Sequence, residues 1–222
     1  MALSLAVDEL EVTGEGGRRI LAIEHLATPA GSCLGVKGPS GAGKSTFLFA
    51  IAGLLKAAKG RVSWGETEMT ALPQGARARF RREHFGFVFQ DPLLFEEMGA
   101  SANASLAAAF LPKARRNGVR ATADDALRTL SVPGGRRRAD TFSGGERQRI
   151  ALARALAADA GVILADEPTA SLDRQTRDRL VGDLMELVRK DGKSLIAVSH
   201  DVDLLGVMDR VVTIENGALV AA

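Results

Sequence analysis

Gly38-Pro39-Ser40-Gly41-Ala42-Gly43-Lys44-Ser45-Thr46 fits the pattern G-x-x-x-x-G-K-[ST], a loop that cradles phosphates. The residue types follow from such a ligand. Gly38, Gly41 and Gly43 carry no Cβ, so the backbone can curl and aim several N–H groups inward. Lys44 brings a point charge for β- and γ-phosphates, and the Ser45 hydroxyl is placed to ligate Mg²⁺. The helix that begins near Lys44 adds the positive end of its dipole. Such a pattern has force only between a strand and a helix. Ser32-Cys33-Leu34-Gly35-Val36 reads as a short buried strand, and Phe47, Leu48, Ile51, Leu54 and Leu55 recur at helical spacing.

The chain around this loop has 222 residues, enough for one domain with a sizeable core and an inserted subdomain. Its 29 Lys and Arg nearly balance 27 Asp and Glu, so charge makes no case for a nucleic-acid partner. The single Cys33 excludes an internal disulfide framework and reads as a small buried residue. Residues 1–8 have no basic start and soon reach Asp8 and Glu9, unlike a signal peptide. The Ala-rich stretch Leu106 to Leu111 is too short to span a bilayer. A chain soluble when isolated, which reaches a membrane only through a partner, is the expectation.

Upstream of the loop, residues 3–12 and 20–27 read as antiparallel strands joined by a turn at Gly14 to Gly17. Downstream, Gly60 to Gly65 reads as a strand, and Pro73 opens a helix through Arg82. That helix carries Arg77, Arg79, Arg81 and Arg82, read first as a solvated face and second as a contact for an acidic partner or lipid headgroups. Phe85 to Phe89 is a buried strand ending at Gln90-Asp91-Pro92, where Gln90 either faces a site or sits in a strand-terminating turn. Strand signals then vanish. Helical text fills 101–111 and 122–131, with loops expected at Pro112 to Gly118 and Pro133 to Arg138, the run Arg136-Arg137-Arg138 being solvated. The expected division is therefore an α/β core of 1–92 and 143–222 and a helical subdomain of 93–142.

Gly161 to Ala165 is a continuous apolar run, as in a strand buried on both faces of a parallel sheet. It ends in Asp166-Glu167. Asp166 can hold Mg²⁺ through water, with a helix N-cap as the alternative. Glu167 has no evident structural task and can accept a proton from attacking water. Arg174 to Lys190 reads as an amphipathic helix, and Ser194 to Val198 as a strand ending in Ser199-His200-Asp201. His200 can donate to a γ-phosphate oxygen, or else it is a surface or capping histidine. Val211 to Glu215 with Asn216-Gly217 reads as a closing hairpin. Ser143-Gly144-Gly145-Glu146 is a capping box before a helix through Ala158. Its two glycines also leave bare N–H groups, a second anion site, which suggests a site completed by another copy of the chain.

Taken in order, these motifs resemble the ATP-binding subunits of ABC transporters over nearly all 222 residues. Gly38 to Thr46 resembles the family's Walker A, Gln90 its Q-loop, Ser143 to Glu146 with Arg147-Gln148-Arg149 its signature motif, Val162 to Glu167 its Walker B with catalytic glutamate, Ser171-Leu172-Asp173 its D-loop, and His200 its H-loop. The resemblance implies a P-loop NTPase (RecA-like) α/β core with an antiparallel β subdomain and an inserted helical subdomain. It implies ATP and Mg²⁺ as cofactors. Catalysis falls to Glu167, His200 and Lys44, and metal binding to Ser45, Gln90 and Asp166. Nucleotide contacts come from Gly38, Pro39, Ser40, Gly41, Ala42, Gly43, Lys44, Ser45, Thr46, Gln90, Ser143, Gly144, Gly145, Glu146 and Asp173. It also implies a head-to-tail homodimer in the ATP state and an integral membrane permease as partner, at the cytoplasmic face of the inner membrane.

Within the family, Leu164 to Thr169 and Phe87 to Gln90 look most like the lipoprotein-releasing and macrolide-exporter ATPases. Thr141 to Glu146 with Thr169 to Asp173 also resembles a phosphonate-metabolism member. The competing functions are a mechanical adaptor of the division type, a soluble ABC-type ATPase in an enzyme assembly and, more remotely, a small-molecule kinase. Two departures stand out. Residues 1–46 hold no aromatic to stack on adenine, which leaves Val12 or a neighbour for a weaker contact. The signature also has Phe142 and Glu146 where the family commonly has leucine and glutamine.

Overall fold

The structure, a computed structural model, describes residues 1–56, 59–135, 137–170 and 172–220. Strands β1 (Leu5–Thr13) and β2 (Arg19–Thr28) form the expected antiparallel hairpin. Alternation alone would not bury both Val7 and Leu10, which lie three apart. Glu9 takes a positive φ of 48° between them, and the register with the neighbouring strand breaks between Asp8 and Glu11. That bulge resets the pleat, so Leu5, Val7, Leu10 and Val12 all face inward. Strands β4 (Lys59–Trp64) and β5 (Thr67–Glu68) extend this antiparallel arm.

The other half is parallel. Strands β3 (Cys33–Lys37), β6 (Phe85–Val88), β7 (Val162–Asp166), β8 (Ser194–Val198) and β9 (Arg210–Glu215) lie in the order β9-β3-β8-β7-β6. Strand β10 (Ala218–Val220) turns back from β9 and pairs in parallel with β2. It thereby joins the two halves into one sheet of ten strands. The α/β class with its antiparallel part is as expected. The joining strand is short, and its pairing with β2 is non-local, so no local pattern announces it.

Helix α1 (Lys44–Ile51) wedges between the two halves. Its Phe47, Leu48 and Ile51 share a core with Val7, Ile23 and Trp64 of the arm and with Leu164, Ile196 and Val198 of the parallel strands. The Trp64 indole N–H donates to the Ile51 carbonyl at 2.8 Å and pins the helix end. Truncating so buried a ring as Phe47 costs about 3–5 kcal/mol. The opposite face of β7 and β8 supplies Ile163, Ala165, Leu195 and Ala197 to a second core with α5 (Gly144–Ala157) and α6 (Arg174–Lys190). Burial on both faces is why the Gly161 to Ala165 run is apolar at every step.

Several expectations are corrected. Helix α1 stops at Ile51, which leaves Leu54 exposed. Helix α2 (Gln74–His84) follows Pro73, but its arginines are not all solvated. Arg77 donates to the Leu72 and Thr70 carbonyls at 2.7 and 3.0 Å, and Arg81 to the Gly53 carbonyl at 2.8 Å. After α3 (Ala100–Ala104), the supposed loop from Pro112 to Gly118 is the start of α4 (Lys113–Thr129). Proline at the N-cap fits a helix start, and Gly118 faces open space, so neither breaks it. In the arginine run, Arg136 lies outside the described residues. Arg137 lies 4.3 Å over the Phe142 ring and donates to the Thr141 carbonyl at 2.6 Å, so it is not simply solvated. A short helix, α7 (Val202–Gly206), had no counterpart in the sequence reading.

Candidate active site

Four adjacent parallel strands end on one edge of the sheet, where doubly wound folds place their ligands. Gly38 to Thr46 leaves β3, Ser199-His200 leaves β8, Asp166-Glu167 closes β7, and Gln90 follows β6. The ends are nearly flush: Val36 and Asp166 each pair with Val198, and Ala165 pairs with Val88. The sheet register alone therefore gathers residues as far apart in sequence as Gly38 and His200.

The glycine loop is held from outside by the closing hairpin. A Cβ on Gly38, at φ 151°, would lie 2.0 Å from the Ile214 carbonyl oxygen, so no side chain fits there. The Gly217 N–H donates to the Ala42 carbonyl at 3.0 Å. Gly43 is the N-cap of α1, in the left-handed region at φ 98°, and no side chain caps this helix. Its first N–H groups stay available to an anion. Lys44 Nζ arches back and donates to the Gly38 and Pro39 carbonyls, both at 2.9 Å. Ser40 is exposed and Thr46 half-buried in the first turn of α1.

The Ser45 hydroxyl donates to Asp166 Oδ1 at 3.0 Å. Burial pushes the Asp166 carboxyl above its usual pKa, and the adjacent Glu167 adds to this, while Ser45 and Lys44 oppose it. Two hard oxygen donors beside a phosphate loop suit Mg²⁺, which takes few protein ligands and the rest from phosphate and water. Among the described residues no cluster of three or more His, Cys, Asp or Glu forms a self-sufficient cage. The donor set therefore fits a metal that arrives with a nucleotide.

Glu167 is the most constrained residue of the site. Its φ is +47°, unusual for a side chain of that size, and its N–H donates to the Val198 carbonyl at 2.8 Å. One carboxylate oxygen, Oε2, meets His200 Nδ1 at 2.8 Å, the His200 N–H at 3.3 Å and the Ser199 hydroxyl at 3.4 Å. The sequence pointed to Glu167 and His200. It did not show that they touch, nor that Ser199 joins them.

The second glycine pair lies at a different kind of helix start. The Glu146 N–H donates to Ser143 Oγ at 3.3 Å, and the Ser143 N–H to Glu146 Oε2 at 2.7 Å, a complete capping box. Burial works against ionisation of Glu146, but the Ser143 bonds, Arg137 and Arg149 together hold its carboxyl below the usual pKa. Ser143 and Gly144 are exposed, whereas a Cβ on Gly145 would lie 2.3 Å from Thr176 Cγ2 of α6. Asp173 caps α6 by accepting from the Thr176 N–H at 3.1 Å, and Thr176 holds its carboxyl below the usual pKa. Its neighbour Ser171 lies outside the described residues.

Gln90 is exposed at the exit of β6, and the segment that carries it is gripped from α5. Buried Gln148 donates to the Phe89 carbonyl at 3.0 Å, and Arg154 to the Leu93 and Pro92 carbonyls, both at 2.7 Å. A polar residue on the inward face of a helix needs such a partner, and that was the available signal for Gln148. Of the expected base contact, Val12 or a neighbour, Val12 itself is 3% exposed and belongs to the core. Ile20 is 40% exposed, and its carbonyl lies 3.3 Å from where a Cβ on Gly43 would stand.

The sequence profile of the family described as "ABC transporter" matches residues 24–170, well over half of the chain. The chain belongs to the ABC transporter family. The lipoprotein-releasing system ATP-binding protein LolD of Cereibacter sphaeroides is 41% identical over 99% of this chain and 100% of its own length. The macrolide export ATP-binding/permease protein MacB 1/2 of Paracoccus denitrificans is 38% identical over 94% of this chain, which spans 31% of that longer protein. The ATP-binding cassette MJ0796, solved as a dimer in a post-hydrolysis state with ADP and Pi, superposes with a TM-score of 0.84 at 29% identity, over 98% of this chain and 97% of that one. This ABC transporter chain is thus an ATP-binding subunit and an ATPase of the type coupled to transport. Among its described residues, no helix is long and apolar enough to cross a membrane.

Proposed function

We propose that two copies of this chain bind ATP between them and hydrolyse it to drive a separate integral membrane permease, with Glu167 as general base. The observation that carries this reading is the Glu167–His200 contact at 2.8 Å, set at the strand edge beside the phosphate loop and the Ser45–Asp166 pair. Lys44 and the N–H groups of Gly38 to Thr46 take the β- and γ-phosphates. Ser45 and Asp166, with Gln90, would hold Mg²⁺, which supplies positive charge against the phosphate oxygens when bound. Glu167 accepts the proton of the attacking water as the new O–P bond forms and the bond to ADP breaks. His200 orients Glu167 and faces the γ-phosphate.

The second copy supplies Ser143 to Glu146 and Asp173. Exposed Ser143 and Gly144 support that role, as does the dimeric state of the MJ0796 cassette. We divide the chain into a nucleotide-binding core, 1–92 and 143–222, and a helical subdomain, 93–142. Between α2 and that subdomain runs a groove of about 620 Å³, lined by Arg79, Arg82, Phe110, Leu111, Arg115 and Val119 among others. An exposed Phe110 in a rim of mixed charge, with Glu83 and Asp159 beside the arginines, suits a cytoplasmic segment of the permease, and this docking holds the chain at the cytoplasmic face of the inner membrane. Full-length similarity to LolD favours lipoprotein release or export as the work done.

A tagged chain recovered from detergent-solubilised source membranes should carry a stoichiometric polytopic partner, identified by mass spectrometry. Phe110→Asp should lose that partner and keep ATP hydrolysis. Recovery of soluble partners alone, or of none, would overturn the membrane assignment.

A further inference from the structure

Asp201 follows His200 and is only 5% exposed. One carboxylate oxygen caps α7, accepting from the Asp203 and Leu204 N–H groups at 3.0 and 3.4 Å. The other, Oδ2, is buried with no hydrogen-bond partner. It faces Arg177 Nε of α6 at 3.9 Å, and that nitrogen is likewise buried and without a hydrogen bond. Among the described residues, Arg177 is the one cation paired with this carboxylate. The two capping N–H groups repay part of the lost hydration at Oδ1, and Arg177 is left to balance the charge at Oδ2.

Asp201 is also tied back to the site. Its N–H donates to Ser199 Oγ at 3.0 Å, and Ser199 Oγ reaches Glu167 Oε2 at 3.4 Å. His200 itself has little packing to hold it, since its side chain is 74% exposed. Its place over Glu167 is therefore set by the backbone of Ser199 to Asp201. That backbone is anchored at one end by β8 and at the other by the Asp201 carboxylate. Arg177 is one turn beyond Asp173, the N-cap of α6.

We propose that Arg177 is a positioning residue for ATP hydrolysis. It holds Asp201, and through Asp201 the turn that keeps His200 on Glu167, so the start of α6 and the catalytic pair move as one piece. This inference rests on the reading of Glu167 and His200 given above. The group acts on the chemical step and not on nucleotide affinity, because none of its contacts touches the phosphate loop.

The test is steady-state ATP hydrolysis by the purified chain carrying Arg177→Met, Arg177→Lys, Asp201→Asn, the Arg177→Met/Asp201→Asn pair or Glu167→Gln, with melting temperatures measured alongside. Arg177→Met should lower kcat about 10-fold, as expected for a displaced catalytic group, and change KM for ATP less than about twofold. Arg177→Lys should recover most of kcat, and the double variant should lose no more than the worse single one, because both break one interaction. An unchanged kcat with a lowered melting temperature, a loss confined to KM, or fully additive losses would overturn the proposal. Should Arg177→Met not fold, Asp201→Asn decides: a comparable loss of kcat is expected, and a normal kcat refutes the role. Near-normal turnover in Glu167→Gln would instead remove the reading of the site itself. An inactive Glu167→Gln beside a fully active Arg177→Met would remove only this inference.

Discussion

Helices α1 and α5 both begin beside glycines, and they begin differently. Helix α1 starts at Gly43 with no side chain capping it, so its first N–H groups have no partner of their own. Helix α5 starts at Ser143 with a reciprocal capping box that already satisfies two such groups. The first start is enclosed, with the β9–β10 hairpin bonded to Ala42 and pressed against Gly38. The second is exposed at Ser143 and Gly144. The difference teaches how a shared site can be divided. The enclosed, uncapped start leaves its first N–H groups to be satisfied from outside the helix, as a phosphate would do. The exposed, capped start is already held by its own side chains, which suits the role proposed for it toward a second copy.

The contrast breaks most sharply at Glu167, which belongs to the enclosed half alone. Glu167→Gln should reduce hydrolysis about 1,000-fold, within the range of a lost general base, while ATP-driven dimerisation persists. Phosphate release and gel filtration in ATP measure the two. Near-normal release would deny Glu167 its role, and loss of the dimer would mean that it serves assembly as well. Lys44→Ala comes next. Removing a charged donor from phosphate should weaken equilibrium ATP binding roughly 100-fold, consistent with one or two strong charge-assisted bonds. If binding holds and only turnover falls, the N–H groups of α1 suffice without the ammonium.

How far the sequence foretold this contrast depends on the range of each contact. The loop Gly38 to Thr46, the cap Ser143 to Glu146 and the helix Arg174 to Lys190 are local patterns, and each forms where its pattern lies. Asp166, Glu167 and His200 were legible because apolar strands ended at them. Their mutual contacts were not, since register between β7 and β8 decides those. The brace at Gly217 was read as a turn and nothing more, because its partner Ala42 is far away in sequence. Arg154 and Arg177 look like ordinary polar residues on helices, and Gln148 stands out only as part of the signature motif, with no inward contact implied. Only tertiary packing turns them inward, onto the Phe89, Pro92 and Leu93 carbonyls and the Asp201 carboxylate. The loop expected at Pro112 to Gly118 failed for the opposite reason: proline and glycine are punctuation, but proline also opens helices.

The capped start can be probed by taking away its independence. Glu146→Ala should cost about 1 kcal/mol of stability, a usual value for a lost cap. The same group gives a pH dependence with a definite sign. Its folded-state pKa is depressed, so its contribution is fully present above the ordinary carboxylate range and is lost as pH falls through the depressed value. Thermal unfolding of the parent and of Glu146→Ala should therefore converge under acid and separate near neutrality. A difference that stays constant with pH would mean that the glutamate acts through packing and not through its charge.

The smallest expected effect concerns the enclosed half and the base beyond it. The loop is proposed to grip phosphates, but no Phe, Trp or Tyr occurs in residues 1–46, and Val12 is buried in the core. Ile20 is an exposed apolar residue whose carbonyl lies beside the loop and whose side chain lies near Gly14, and an aliphatic surface there would give either purine contact without stacking. Lost stacking is worth about 1 kcal/mol, so ATP binding should be modest, and ATP and GTP should bind within about fivefold of each other. Competition binding with both nucleotides measures this directly. Ile20→Tyr should then tighten both by a few-fold, about what one stacking contact provides. If ATP is preferred more than about 50-fold, a buried group must read the adenine edge by hydrogen bonds, since apolar contact cannot discriminate so strongly. The enclosed half would then recognise the base as well as the phosphates, and the division between the two helix starts would no longer be one of phosphate chemistry alone.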